Sequence, residues 1–108
     1  MAQRDYGCPV EAALDVIGGR WKGVILFHLL DETKRFNELR RLLPKVTQRM
    51  LTLQLRELEK AGVVFRQAYP EMPPRVEYGL TEFGRSLRPI LVEMRVWGSL
   101  YVARLNQD

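Results

Sequence analysis

The sequence predicts a mainly helical α+β fold in which a small β-hairpin is set among the helices. Three observations carry this expectation. Residues 36–61 read as two short amphipathic helices broken at Leu43-Pro44-Lys45-Val46. Straight after Gly62 the helical period is lost, and two β-rich segments flank a proline-rich loop. The chain then closes on a long helical stretch with a broad apolar face. Two helices at a turn followed by a hairpin are the sequence form of a winged helix-turn-helix, whose second helix can enter the DNA major groove.

At 108 residues the chain is expected to form one domain, 1–108, with an N-terminal arm and helix and terminal helices at about 82–105. A hydrophobic content of 46% and a charged content of 28% are ordinary for a soluble protein. No apolar run approaches the roughly 20 residues that span a bilayer, and no signal peptide is visible. The expectation is a cytoplasmic protein with no membrane partner. A single cysteine excludes an internal disulfide and a four-cysteine zinc site, and fits a reducing compartment. Nothing in the sequence calls for a cofactor or a metal.

The first seven residues are polar. Cys8-Pro9 opens a helix with proline at its favoured first position, and Val10, Ala13, Leu14 and Ile17 form its apolar stripe. Gly18-Gly19 ends it. A second helix, roughly Trp21 to Leu30, is apolar nearly all round and is expected to be buried. Lys34-Arg35-Phe36 is a short extended link. Pro44 lacks an amide donor and disfavours the helical state of Leu43, so the next helix stops there. Thr47 is a good N-cap for the following helix, about Gln48 to Lys60, and Gly62 can close it in the left-handed conformation.

Residues spaced roughly 100° apart sort that helix into two faces. Leu51, Leu55 and Leu58 share one side. Arg49, Thr52, Leu53, Arg56 and Lys60 point the other way, with Gln48 and Glu59 at the edge. Such a face suits an ordinary solvated surface as well as a DNA reader, and two features favour DNA. Gln, Arg and Thr cluster in the first turn and a half, where a recognition helix reaches base edges. Residues 34–60 also carry eight Lys and Arg side chains against three acids, whereas the whole chain is only +4. A basic patch on a near-neutral body suits a polyanionic partner, here double-stranded DNA. Lys45, Thr47, Gln48, Arg49, Thr52, Leu53 and Arg56 are the candidate contacts.

The segments 63–69 and 76–80 are rich in β-formers. Between them, Pro70 to Arg75 is too stiff and donor-poor to continue a strand. Arg75 is expected near the tip of this wing, contacting a phosphate or the minor groove; a plain surface arginine is the duller alternative. Thr81 caps a helical stretch to about Leu105, which Pro89 should kink or divide. Its apolar face, with Leu91, Met94, Trp97, Leu100 and Tyr101, needs a partner surface. A second copy of the chain is favoured over folding back on its own core.

The blocks Cys8-Pro9-Val10-Glu11, Ile17-Gly18-Gly19-Arg20-Trp21-Lys22, Arg35-Phe36-Asn37-Glu38-Leu39, Gln48-Arg49-Met50-Leu51-Thr52 with Leu55-Arg56-Glu57-Leu58, and Pro73-Pro74-Arg75-Val76-Glu77-Tyr78 with Leu80-Thr81 resemble the HxlR-type winged-helix regulators, relatives of the MarR group. They cover nearly the whole chain in order. The resemblance implies a homodimeric transcription factor, repression being the expected mode, on a roughly palindromic operator. It makes Gln48–Arg56 the readers and Pro73–Arg75 the wing. Leu53 departs from the polar residue expected on the outward face; it either meets a thymine methyl or is simply exposed.

Family members that respond to oxidants or electrophiles use a cysteine near the N-terminus, and Cys8 sits at the corresponding place. A thiol at a helix start with Arg4 nearby in sequence favours thiolate. The alternative is a small structural residue plugging the helix start. A lone His28 on an apolar helix is no metal site. Trp21 and Trp97 read as packing anchors, and a small-molecule effector between helices stays open. Two rivals are weaker: a protein-interaction module would carry a larger apolar outward face, and a thiol enzyme built on Cys8 lacks a resolving cysteine and a general base.

Overall fold

The structure is a computed structural model that describes residues 5–107. Chain order is α1 (Pro9–Ile17), α2 (Lys22–His28), β1 (Lys34–Arg35), α3 (Phe36–Leu42), α4 (Gln48–Lys60), β2 (Val64–Tyr69), β3 (Arg75–Leu80), α5 (Glu82–Arg85) and α6 (Arg88–Leu105). The three strands make one antiparallel sheet in the order β1-β3-β2.

Local chemistry sets the boundaries of the helix-turn-helix. The Glu38 side chain accepts the Arg35 amide at 2.8 Å, fixing the start of α3. Leu43 is the last capping position before Pro44, and the turn is closed by the Val46 amide on the Leu43 carbonyl. Thr47 Oγ1 then accepts the Met50 amide at 3.0 Å, satisfying an orphan donor of α4. At the other end Gly62 adopts φ +79°, a conformation costly for any residue with a Cβ. Its amide bonds the Glu59 carbonyl and the Val63 amide bonds the Leu58 carbonyl, the paired arrangement of a Schellman motif. Val63 and Leu58 are both buried, which supplies the accompanying apolar contact.

The core gathers Ile25 and Leu26 of α2, Leu39 of α3, and Leu51, Leu55 and Leu58 of α4, with Val63, Val64, Tyr78 and Leu80 of the sheet joining them. Leu29 and Leu30 are buried too, although α2 ends at His28, two residues before its expected limit. Val24 is exposed, so α2 is not apolar-covered all round.

Two expectations change here. Lys34-Arg35 is not a mere link: it pairs with Tyr78 and Glu77 as a third strand, and Phe36 begins α3. The stripe of α1 is mostly uncovered, since Ile17 is buried while Val10 and Leu14 are 62% and 57% exposed.

Thr81 caps α5 by accepting the Gly84 amide, and its hydroxyl donates to the Gly62 carbonyl at 2.6 Å. One side chain thus ties the start of the terminal helices to the end of α4. The expected division at Pro89 occurs as a break at Ser86-Leu87, with proline in the first turn of α6. Arg88 anchors that turn to the chain after α2 through the Leu30 carbonyl at 2.6 Å and the Asp31 carboxylate at 3.1 Å.

Gly84 lies so close to the Val63 carbonyl that a Cβ there would overlap the oxygen. Gly84→Ala should therefore destabilise the fold by about 1–3 kcal/mol, as overpacking does elsewhere. Urea unfolding of the two proteins measures this directly.

Candidate nucleic-acid interface

With Leu51, Leu55 and Leu58 each 1% exposed or less, α4 has no rotational freedom, and its opposite face must look outward. Gln48, Arg49, Thr52, Leu53 and Arg56 line one shallow groove on that face. Lys45 is exposed in the turn before α4. The hydroxyls of the two threonines already have work: Thr47 is the helix cap, and Thr52 donates to the Gln48 carbonyl at 2.9 Å. Leu53 is 46% exposed among the polar side chains, as its spacing predicted.

Two of the acids near this face are engaged, while Glu59 at its edge makes no ion pair among the described residues. Glu57 pairs with the largely buried Lys22 at 2.7 Å, linking α4 to α2. Glu38 accepts the backbone amide of Arg35. Arg35, Asn37, Arg40 and Arg41 of the β1–α3 segment are exposed, and the three arginines add to the basic surface. Charge counting picked out these arginines as a group, but it could not show that Asn37 and Arg41 share a helix face one turn apart.

Arg75 departs from its expected position. It opens β3 rather than standing at the loop tip, and Met72, 95% exposed, occupies the apex. Its guanidinium donates to Glu71 at 2.8 Å and Glu77 at 3.3 Å, and lies 4.1 Å from the centre of the Tyr69 ring. Arg75 Nε is buried and without a partner among the described residues. Arg75 is thus a staple across the base of the wing. Part of the signal was in the sequence, since Arg75 and Glu77 fall on the same side of a strand; the pairing of Arg75 with Tyr69 comes only from the hairpin register.

Cys8 is exposed at the N-cap of α1, and its side chain makes no capping hydrogen bond. The Gly7 amide bonds Glu11 at 3.2 Å and Tyr6 Oη donates to Asp15 at 2.7 Å, laying the preceding residues along the helix. Arg4, the expected neighbour of Cys8, lies outside the described residues. His28 is half-buried, and burial followed by the charge of Lys34 lowers its pKa below the usual 6.5. No three metal-ligating side chains gather among the described residues. Nor is any helix there long and apolar enough to cross a membrane.

Four of the five residues expected at a subunit interface, Met94, Trp97, Leu100 and Tyr101, are exposed on α6. Trp97 and Tyr101 stack at 5.6 Å between ring centres. Leu91 is the exception: it is 2% exposed and belongs to the chain's own core, where α6 crosses α2.

Comparison with known proteins agrees with this geometry. The family described as HxlR-like helix-turn-helix matches residues 16–106. The chain is 60% identical to the HTH-type transcriptional regulator YdeP of Bacillus subtilis (strain 168) over 101 residues, which are 94% of this chain and 79% of that protein. Among solved structures, the redox regulator HypR in its oxidised form superposes with a TM-score of 0.83 at 58% identity, covering 94% of this chain and 99% of that one. The reduced form of the transcriptional regulator YodB from B. subtilis gives 0.75 at 42% identity, covering 85% and 91%.

The staple carries a prediction of its own. Arg75→Ala should lower stability by about 1–2 kcal/mol through loss of the paired carboxylate bonds and the ring contact. Arg75→Lys should recover only part of it, because an ammonium lacks the planar fork. Urea titration of the three proteins separates these outcomes.

Proposed function

The chain belongs to the HxlR-like helix-turn-helix family, and on that premise we propose that it controls transcription as a homodimer on a roughly palindromic operator. It is a DNA-binding transcriptional regulator, not a catalyst. The observation that carries the reading is the outward groove of Gln48, Arg49, Thr52, Leu53 and Arg56 on a helix locked by its buried face. Arg49 and Arg56 suit guanine edges, Gln48 an adenine edge, and Leu53 a thymine methyl. Lys45 and Thr47 flank them at phosphate level. An outward face whose exposed apolar content is Leu53 with Met50 at its flank does not suit a protein-interaction module.

The exposed side chains Met94, Trp97, Leu100 and Tyr101 of α6 are the surface for the second copy. An isologous pair presents two recognition helices to half-sites about one helical turn apart. Repression follows if the bound dimer occludes polymerase, and the protein works in the cytoplasm, where its DNA is.

The signal is oxidation of Cys8, an inference supported by its exposure and by similarity to proteins described as redox regulators. Two Cys8 thiols, one from each protomer, would lose two protons and two electrons to the oxidant and form one S–S bond. With diamide, the N=N bond takes up both and becomes a hydrazine. A small-molecule effector is the second reading. It is favoured by a cavity of about 280 Å³ where α2 crosses α6, lined by Ile17, Val24, Phe27, Leu91 and Met94.

Fluorescence anisotropy on DNA from upstream of the chain's own gene tests the reading at one fixed salt concentration. Arg49→Ala and Arg56→Ala should each cost about 1–3 kcal/mol on the selected duplex, and less on a scrambled one. Diamide should release the wild-type protein and leave Cys8→Ser bound. Equal release of both proteins would remove Cys8 from the mechanism and send the search to the α2–α6 cavity.

A further inference from the structure

A second basic surface lies beside the recognition helix, and the function proposed above does not use it. A cleft of about 350 Å³ separates α3 from the base of the wing. One wall carries Arg35, Asn37 and Arg41, and the other is built from Pro74, Arg75 and Val76. Asn37 and Arg41, one helical turn apart, also line an adjoining groove that runs past Arg40 to Pro44 and Val46, just before α4. The two depressions form one continuous track from the wing to the start of the recognition helix.

Charge along this track is unbalanced. Arg35, Arg40 and Arg41 make no ion pair among the described residues. The acid in the lining, Glu38, already accepts the Arg35 amide at 2.8 Å. Arg75 adds no free charge, because Glu71 and Glu77 hold its guanidinium; it serves to fix the wing wall. The cleft is therefore rigid on one side and lined on the other by two unpaired guanidiniums, a neutral amide and the Glu38 carboxylate, which is turned to the Arg35 amide, so that wall keeps a net positive charge. Those donors match the oxygens of a phosphodiester, which accept forked N–H bonds without regard to base sequence.

We propose that Arg35, Asn37 and Arg41 seat a backbone phosphate of the DNA in this cleft. The inference rests on the DNA-binding reading above and adds to it an anchor between helix and wing. Such an anchor fixes the register of α4 in the groove and carries no sequence information. It also gives the wing a role that needs no DNA bond from Arg75.

The test is the salt dependence of binding to a scrambled duplex, which requires no operator. Each phosphate that the protein ceases to neutralise lowers the slope of log K against log[salt] by about 0.9. The Arg35→Ala/Arg41→Ala double variant should show that drop in the magnitude of the slope and each single variant a part of it, with the same fold-loss on scrambled and selected duplexes. Lysine at either position should restore the slope, and thermal unfolding should be unchanged because both side chains are exposed. On the selected duplex, a scan of single methylphosphonate linkages should find a position that weakens the wild-type protein and weakens the double variant far less. An unaltered slope in the double variant overturns the cleft while leaving selective binding, and with it the regulator reading, intact. A reduced slope in the variants without any selectivity in the wild type would instead uphold the cleft and remove the operator reading. Absence of all DNA binding overturns both.

Discussion

The structure depends on one ridge, Leu51, Leu55 and Leu58, being buried on α4. Removing each of these side chains from water contributes about 1.5–3 kcal/mol. The same burial fixes the rotation of the helix, since a shift by one residue turns every side chain by roughly 100°. Such a shift would drive Thr52 and Arg56 toward Ile25, Leu26 and Leu39, and an unpaired guanidinium in that setting is far costlier than the methyl groups it displaces. Arg49, Thr52, Leu53 and Arg56 face outward because Leu51, Leu55 and Leu58 cannot. The Thr47 cap and the Gly62 turn then set the length over which this rotation is imposed.

Around that ridge, acidic side chains are distributed so that the basic face keeps its field. Lys22 takes Glu57, the Arg35 amide takes Glu38, and Arg75 takes Glu71 and Glu77. Each such partly exposed pair contributes modestly to stability, about 0.2–1 kcal/mol. Their consequence is electrostatic. Glu57, Glu71 and Glu77 are answered by cations that do not lie on the outward groove of α4, and among the described residues Arg35, Arg40, Arg41, Arg49 and Arg56 make no ion pair. Long-range attraction falls with the Debye length, about 8 Å at physiological salt, so this local arrangement matters more than the net charge of +4.

The helix-turn-helix was legible in the sequence because its determinants are local: a proline, a threonine cap, a glycine turn and a leucine period all act within a few residues. What was less legible depends on pairings made at a distance. Lys34-Arg35 is two residues long, too short to show alternation, and becomes a strand only because β3 lies alongside it. Arg75 looked like a free wing residue until the hairpin register set Tyr69 opposite it. Apolar stripes on α1 and α6 were visible, but a stripe states that a face is to be covered and not by what. Leu91 found cover within the chain, whereas Val10, Leu14, Trp97 and Leu100 did not.

That contrast bears on how a signal at Cys8 would reach DNA. Cys8 opens α1, the helix that leaves Val10 and Leu14 uncovered, and α1 packs on α2. α2 in turn touches both α6 and α4, and the Lys22–Glu57 pair bridges α2 to the recognition helix. On the reading proposed above, chemistry at Cys8 acts by changing how α1, α2 and α6 of two protomers sit together. The spacing between two recognition helices is a property of that packing, and each helix is held rigidly within its own protomer by Leu51, Leu55 and Leu58. A dimer of rigid readers can release a palindrome by a change of spacing alone, since neither protomer must unfold and half-sites sit at fixed separations along the duplex. On that reading, the rigidity that would make α4 a good reader is also what would let a small rearrangement at the interface be felt at the DNA.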